Sequence, residues 1–166
     1  MITALFTGVT MIISLIVSMI VTIAMWLIPA IALYRMAKYE GRPYAWLAFI
    51  PFARCYQEIT IPNGEYNLFN WIRTQDRKKV AIIYIIVGVA GTAIASALAA
   101  VPVVGQLLAI AYAIAVNIMM WKKRYDLIAN YESRETALVI SIIDIFIPVV
   151  YEIYVFILSL KLPKRV

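Results

Sequence analysis

The sequence predicts an all-α integral membrane protein with three spanning helices and two shorter apolar segments that re-enter the bilayer or lie at its interface. Three observations carry that expectation. Apolar residues make up 64% of the chain and charged residues only 14%, against about 25% charged in an ordinary soluble domain. Three long stretches, residues 1–34, 80–121 and 137–160, hold almost no charge; only Asp144 and Glu152 interrupt the last. The fifteen Lys and Arg residues lie between these stretches or after them.

Each stretch can be matched to the bilayer, which a helix crosses with about 20 apolar residues. Residues 1–34 supply the first helix. The stretch has no basic start and is too long for a signal-peptide core, so it reads as a retained helix. Residues 35–79 form a basic connector. It contains an apolar segment at 44–53, too short to span as a helix and suited to an interfacial or re-entrant position. Residues 80–121 are long enough for two helices, broken at Val101-Pro102-Val103-Val104-Gly105-Gln106, where proline and glycine punctuate the run. This makes a helical hairpin with an uncharged tip. A second basic connector covers 122–136, and a basic tail covers 161–166.

Residues 137–160 admit two readings. They suffice for a fourth spanning helix, and proline kinks are tolerated in membrane helices. Alternatively the segment bends at Pro148 and returns. Charge favours the second reading. Eight basic residues fall in the first connector, four in the second and three in the tail, with none in the N-terminal stretch or the hairpin tip. The positive-inside rule then places the N-terminus outside and both connectors in the cytoplasm. Only a returning segment puts the tail there as well.

A weak internal duplication fits this picture. Tyr39-Glu40-Gly41-Arg42 precedes an apolar segment with Phe49-Ile50-Pro51. Tyr131-Glu132-Ser133-Arg134 precedes another with Phe146-Ile147-Pro148.

Small residues at four-residue spacing mark candidate packing faces, because they let helix backbones approach closely in lipid. One row holds Gly88, Thr92, Ser96 and Ala100, and its neighbour Gly91, Ala95 and Ala99. The next helix carries Gly105, Ala109, Ala113 and Asn117. The faces serve the hairpin itself or a seam between copies, with Asn117 as a hydrogen-bonding residue across it. Trp26, Tyr34, Trp46, Tyr56, Trp71 and Trp121 sit at predicted borders, as an aromatic belt does.

Charged residues inside the membrane are functional candidates. Asp144, Glu152 and Asn117 form the candidate intramembrane polar site, where the acids share a cavity or pair with Lys or Arg. Arg73, Arg77, Lys78, Lys79, Lys122, Lys123 and Arg124 read as contacts to anionic lipid or to a cytoplasmic partner. The absence of histidine removes the commonest base and metal ligand. The single Cys55 cannot form an internal disulfide or a cysteine-rich metal site. No catalytic, cofactor-binding or metal-binding motif stands out, and nucleic-acid binding is not expected, since the basic residues flank membrane segments.

The pattern Lys38-x-x-Gly41-x4-Trp46-x3-Ile50-Pro51-x4-Tyr56 resembles one found in small, largely uncharacterised multi-pass membrane proteins of Gram-positive bacteria. Ile147-Pro148-Val149 resembles their C-terminal segment. The resemblance covers about half the chain and implies a bacterial plasma-membrane protein, with no catalytic residues to carry over. The expected function is a non-enzymatic membrane component that assembles with itself or with a larger complex of an export, secretion or immunity type. The alternative is a small oligomeric transporter or channel built on Asp144 and Glu152.

Overall fold

The computed structural model describes residues 2–70, 72–98 and 100–162, with side-chain surroundings from Gly8 onward. Six α-helices account for most of these residues. They are α1 (Ile2–Tyr39), α2 (Arg54–Thr60), α3 (Arg77–Leu98), α4 (Val104–Ala129), α5 (Arg134–Phe146) and α6 (Val149–Lys161). A 3-10 turn, Ala45–Phe49, precedes α2, and a small antiparallel hairpin pairs β1 (Tyr66–Leu68) with β2 (Ile72–Thr74). Three helices, α1, α3 and α4, are long and apolar enough to cross a membrane.

Packing concentrates at one end of the molecule. The lower part of α1, from Pro29 to Ala37, is largely buried, and its Ala32, Leu33 and Met36 join Leu127 and Ile128 of α4 and Val155 of α6 in one core. From Gly8 to Ala24 the same helix is exposed along its whole length. Exposed apolar side chains also cover the upper parts of α3 and α4. The main packing partners of α1 are α6, the 3-10 turn and α2; α3 and α4 pack on each other. The long helices therefore share a base from which α1 and the α3–α4 pair rise separately.

The first helix runs five residues further than the apolar stretch that announces it, through Arg35 and Lys38 to Tyr39. Gly41 then turns the chain at φ +65°. Similarly, α4 continues through Lys122, Lys123 and Arg124 to Ala129, so the second connector shrinks to a turn. Straight-chain basic residues are good helix formers, so a change of polarity did not end either helix.

The α3–α4 hairpin is closed by glycine. A Cβ on Gly105 would lie 1.8 Å from the carbonyl oxygen of Leu98. Lower down, the Tyr112 ring covers Gly91, where a Cβ would come within 2.6 Å of it, and the Tyr112 hydroxyl donates to the Val87 carbonyl at 2.6 Å. Of the two small-residue rows on α3, Gly91 and Ala95 are half-buried, while Gly88, Thr92 and Ser96 are exposed. The Thr92 and Ser96 hydroxyls donate to carbonyls four residues back on their own helix. Gly105 is buried, Ala109 half-buried and Ala113 exposed; Ala99 lies outside the described residues.

Segment 137–160 reverses. The Ser133 hydroxyl accepts from the Thr136 amide and starts α5, which ends at Phe146. Pro148 then opens α6. At the far end of α6, Lys161 Nζ lies 3.1 Å from Glu132 Oε1, beside the start of α5. A continuous helix of that length would hold those residues about 40 Å apart. The two arms sit between the long helices, α6 against α1 and α5 against α4. The first copy of the duplication has the same order in miniature: a helix, a turn, a short helical arm, an Ile-Pro step and α2.

Candidate functional site

The polar centre of the molecule lies where α2, α4, α5 and α6 meet. Two residues one turn apart on α2 start it: Arg54 and Glu58 share a face, with Arg54 Nε 3.8 Å from Glu58 Oε1. Glu58 is 1% exposed and also accepts from Lys123 of α4. The Tyr151 hydroxyl of α6 donates to it at 3.5 Å. Arg54 Nη2 reaches across to Glu152 Oε1 at 3.0 Å. Arg124, next to Lys123, pairs with Asp144 of α5 and lies 4.9 Å from the centre of the Tyr151 ring. Three cations thus face three carboxylates. Desolvating so many charges is costly, so pairing is the condition for burying any of them.

Electrostatics on α2 follow from this arrangement. Burial alone would raise the Glu58 carboxyl, but Lys123, Arg54 and Arg124 together outweigh it and hold the group below the usual carboxylate range. Burial also pushes the neighbouring Cys55 thiol up, against a smaller opposing pull from Lys123. Cys55 is therefore a protonated, half-buried thiol at neutral pH.

Asp144 and Glu152 do not share a cavity. The bend separates them onto different arms, and each has its own arginine. Asp144 alone borders an open cavity of about 700 Å³ between α4 and α5, together with Asn117, Ile118, Trp121, Arg124 and Ile145. Asn117 is exposed and its amide donates to the Ala113 carbonyl of its own helix at 2.8 Å; among the described residues it makes no bond across the α3–α4 seam. Phe69, from the turn between β1 and β2, stacks on Trp121 and borders the same cavity.

The basic residues divide. Arg73, Lys78 and Lys79 are exposed. Arg73 bonds Asn70, and Lys79 pairs with Asp76 at 3.4 Å. Four others have partners within the chain. Lys123 and Arg124 belong to the cluster, and Lys122 pairs with Asp126. Arg77 donates to the carbonyls of Ile59, Gly64 and Glu65, tying that loop to the foot of α3. The helical extension past Trp121 delivers Lys123 and Arg124 to the buried carboxylates Glu58 and Asp144, and Lys122 to the half-buried Asp126.

Sequence reasoning missed Arg54 and Glu58. Their i,i+4 spacing was the available signal. Their true partners, Lys123 and Glu152, lie 65 and 98 residues away in the chain. Among the described residues no group of three or more His, Cys, Asp or Glu side chains is arranged to hold a metal ion. No protein-family model, curated protein or solved structure matches the chain.

Proposed function

We propose that the chain is a non-enzymatic, multi-pass component of a bacterial plasma membrane that assembles with itself or within a larger complex of an export, secretion or immunity type. The observation that carries this reading is the uncovered length of α1 from Gly8 to Ala24, an apolar stretch that no other described part of the chain covers. It stands apart from the α3–α4 pair, whose apolar side chains are also largely exposed. The base lies in the cytoplasmic half of the bilayer and the N-terminus outside. In support, the basic connectors and Lys161 all gather at the base, while the α3–α4 tip carries no charge. The pairing of Asp144 and Glu152 with fixed arginines supports a structural role for both acids over an ion-carrying one.

The test is the intact mass of the complex extracted from its native membrane in mild detergent, with every copurifying chain identified. A stoichiometric partner or a discrete homo-oligomer is expected. A bare monomer would overturn the reading. A transporter or channel remains the second reading because Asp144 Oδ1 and Glu152 Oε2 are buried without hydrogen-bond partners among the described residues. Ion or proton flux in proteoliposomes, abolished by Asp144→Asn without loss of assembly, would favour it.

A further inference from the structure

A second cavity, of about 620 Å³, opens at the foot of α3. Arg42, the end of α2, the loop 62–64 and residues 75–78 enclose it. Its volume falls within the range of small-molecule sites. Its charge is unbalanced. Arg42, Arg77 and Lys78 line it against one carboxylate, Asp76. Asp76 is already engaged, because it accepts from the Lys79 amide and pairs with Lys79 Nζ at 3.4 Å.

The three cations are not engaged in that way. Arg42 Nη2 donates to two neutral acceptors, the Ile61 carbonyl at 3.1 Å and Asn63 Oδ1 at 2.8 Å, and Arg42 forms no ion pair among the described residues. Arg77 donates to the carbonyls of Ile59, Gly64 and Glu65. Its one carboxylate neighbour, Asp126 at 3.7 Å, is also held by Lys122. Lys78 is exposed, and its ammonium has no partner among the described residues. The central cluster differs, since each of its cations meets a carboxylate.

The donors that remain are accessible ones. Arg42 Nε is buried and Nη2 is taken, but Nη1 is neither bonded nor buried among the described residues. Lys78 and Gln75 are both exposed. Arg77 lends its charge, with all three nitrogens already donating to the loop. Both arginines are fixed by that loop, so a ligand does not have to order them.

We propose that this cavity binds a phosphate monoester. Its surplus of two positive charges is met by the charge of about −1.5 to −2 that such a group carries at pH 7. Arg42 Nη1 and Lys78 Nζ supply charge-assisted hydrogen bonds, and the Gln75 amide a neutral one. A lipid headgroup and a soluble phosphate ester share this chemistry. In the orientation proposed above the cavity lies at headgroup depth, because the apolar run of α3 starts at Val80, three residues beyond Arg77.

The experiment titrates the full chain in an uncharged detergent by calorimetry, against a protein-free blank. Three probes are used: dioctanoylphosphatidic acid, glycerol 3-phosphate, which is the same headgroup without chains, and dioctanoylphosphatidylcholine. Saturable binding of a phosphate monoester is expected, about tenfold or more tighter than phosphatidylcholine. Glycerol 3-phosphate binding as tightly as phosphatidic acid, or alone, would support a soluble ester as the source. Phosphatidic acid binding about tenfold tighter would support a lipid. Gln75→Glu with Lys78→Gln should weaken either by about tenfold or more. Both positions are exposed and neither side chain has a partner among the described residues, so the fold does not depend on them. Arg73→Glu removes as much positive charge outside the cavity and should change affinity less than threefold. The proposal fails if neither monoester saturates, or if phosphatidylcholine binds as well. It fails too if the paired substitution is harmless, or if Arg73→Glu weakens binding equally, since surface charge in general would then be attracting the probes.

Discussion

Lys123 shows why a single side chain governs the base. It is 5% exposed and its partner Glu58 is 1% exposed, so neither has solvent to fall back on. Removing one member of such a pair leaves an uncompensated buried charge and costs about 3–5 kcal/mol, whereas removing both with shape retained is often close to neutral. Lys123→Met should therefore lower the unfolding midpoint in detergent sharply, and the double change with Glu58→Gln should recover much of the loss. If the single and double variants melt together, the pair is not coupled as the geometry requires. Acid should act on the same bond. Because Glu58 is held below its ordinary range, its contribution is complete above that range and disappears as pH falls through the depressed value. A melting temperature that stays level from pH 7 to about 5 and then drops is expected, with the drop reduced in the double variant.

At the scale of elements, the α5–α6 hairpin makes the sharpest prediction. Glu132 and Lys161 are ion-paired across the hairpin's open end. In a Cys55→Ser background, Glu132→Cys with Lys161→Cys should cross-link with a short bis-maleimide. A straight spanning helix would keep those positions about 40 Å apart, beyond the reach of the reagent. Failure to cross-link would mean that the segment spans. The bend was partly legible beforehand, because Pro148 and the balance of basic residues both pointed to it. The small β-hairpin was not. Its turn uses Phe69 and Asn70 at positive φ, without the glycine that announces such turns. The glycine turn that does show in the sequence, Ile61-Pro62-Asn63-Gly64, joins α2 to β1. Helix ends were misplaced for a different reason. Hydropathy reports where the surroundings change, and α1 and α4 both continue past that border because their backbone hydrogen bonds do not depend on it. The ion-pair cluster was illegible because its members come from four helices, and no local pattern records which cation meets which carboxylate.

Considered whole, the molecule is a charged base with two bare apolar limbs. Its orientation can be read with one probe. In the Cys55→Ser background, Val166→Cys should resist an impermeant maleimide on intact cells and label after permeabilisation. Labelling of intact cells would place the tail, and the base with it, on the outer side. The coarse division into three long helices and shorter apolar segments was available from charge and hydropathy alone. How the short segments fill the space between the long ones was not, because it depends on close fits such as that of Tyr112 over Gly91 and on the reversal at Pro148.

That reversal gives the molecule an uneven cross-section. Each arm of 13 residues rises only about 20 Å, so α2, α5 and α6 add to the three long helices near the ion pairs but not beyond Pro148. In the orientation proposed above, the base takes up more area in its own leaflet than the limbs take up in the other. The protein is thus a wedge, and a crowd of copies all facing one way would bow the membrane toward the side of the base. Reconstituted with the base outward, it should be enriched in small vesicles over large ones at equal lipid. A variant that straightens the α5–α6 bend should lose that preference.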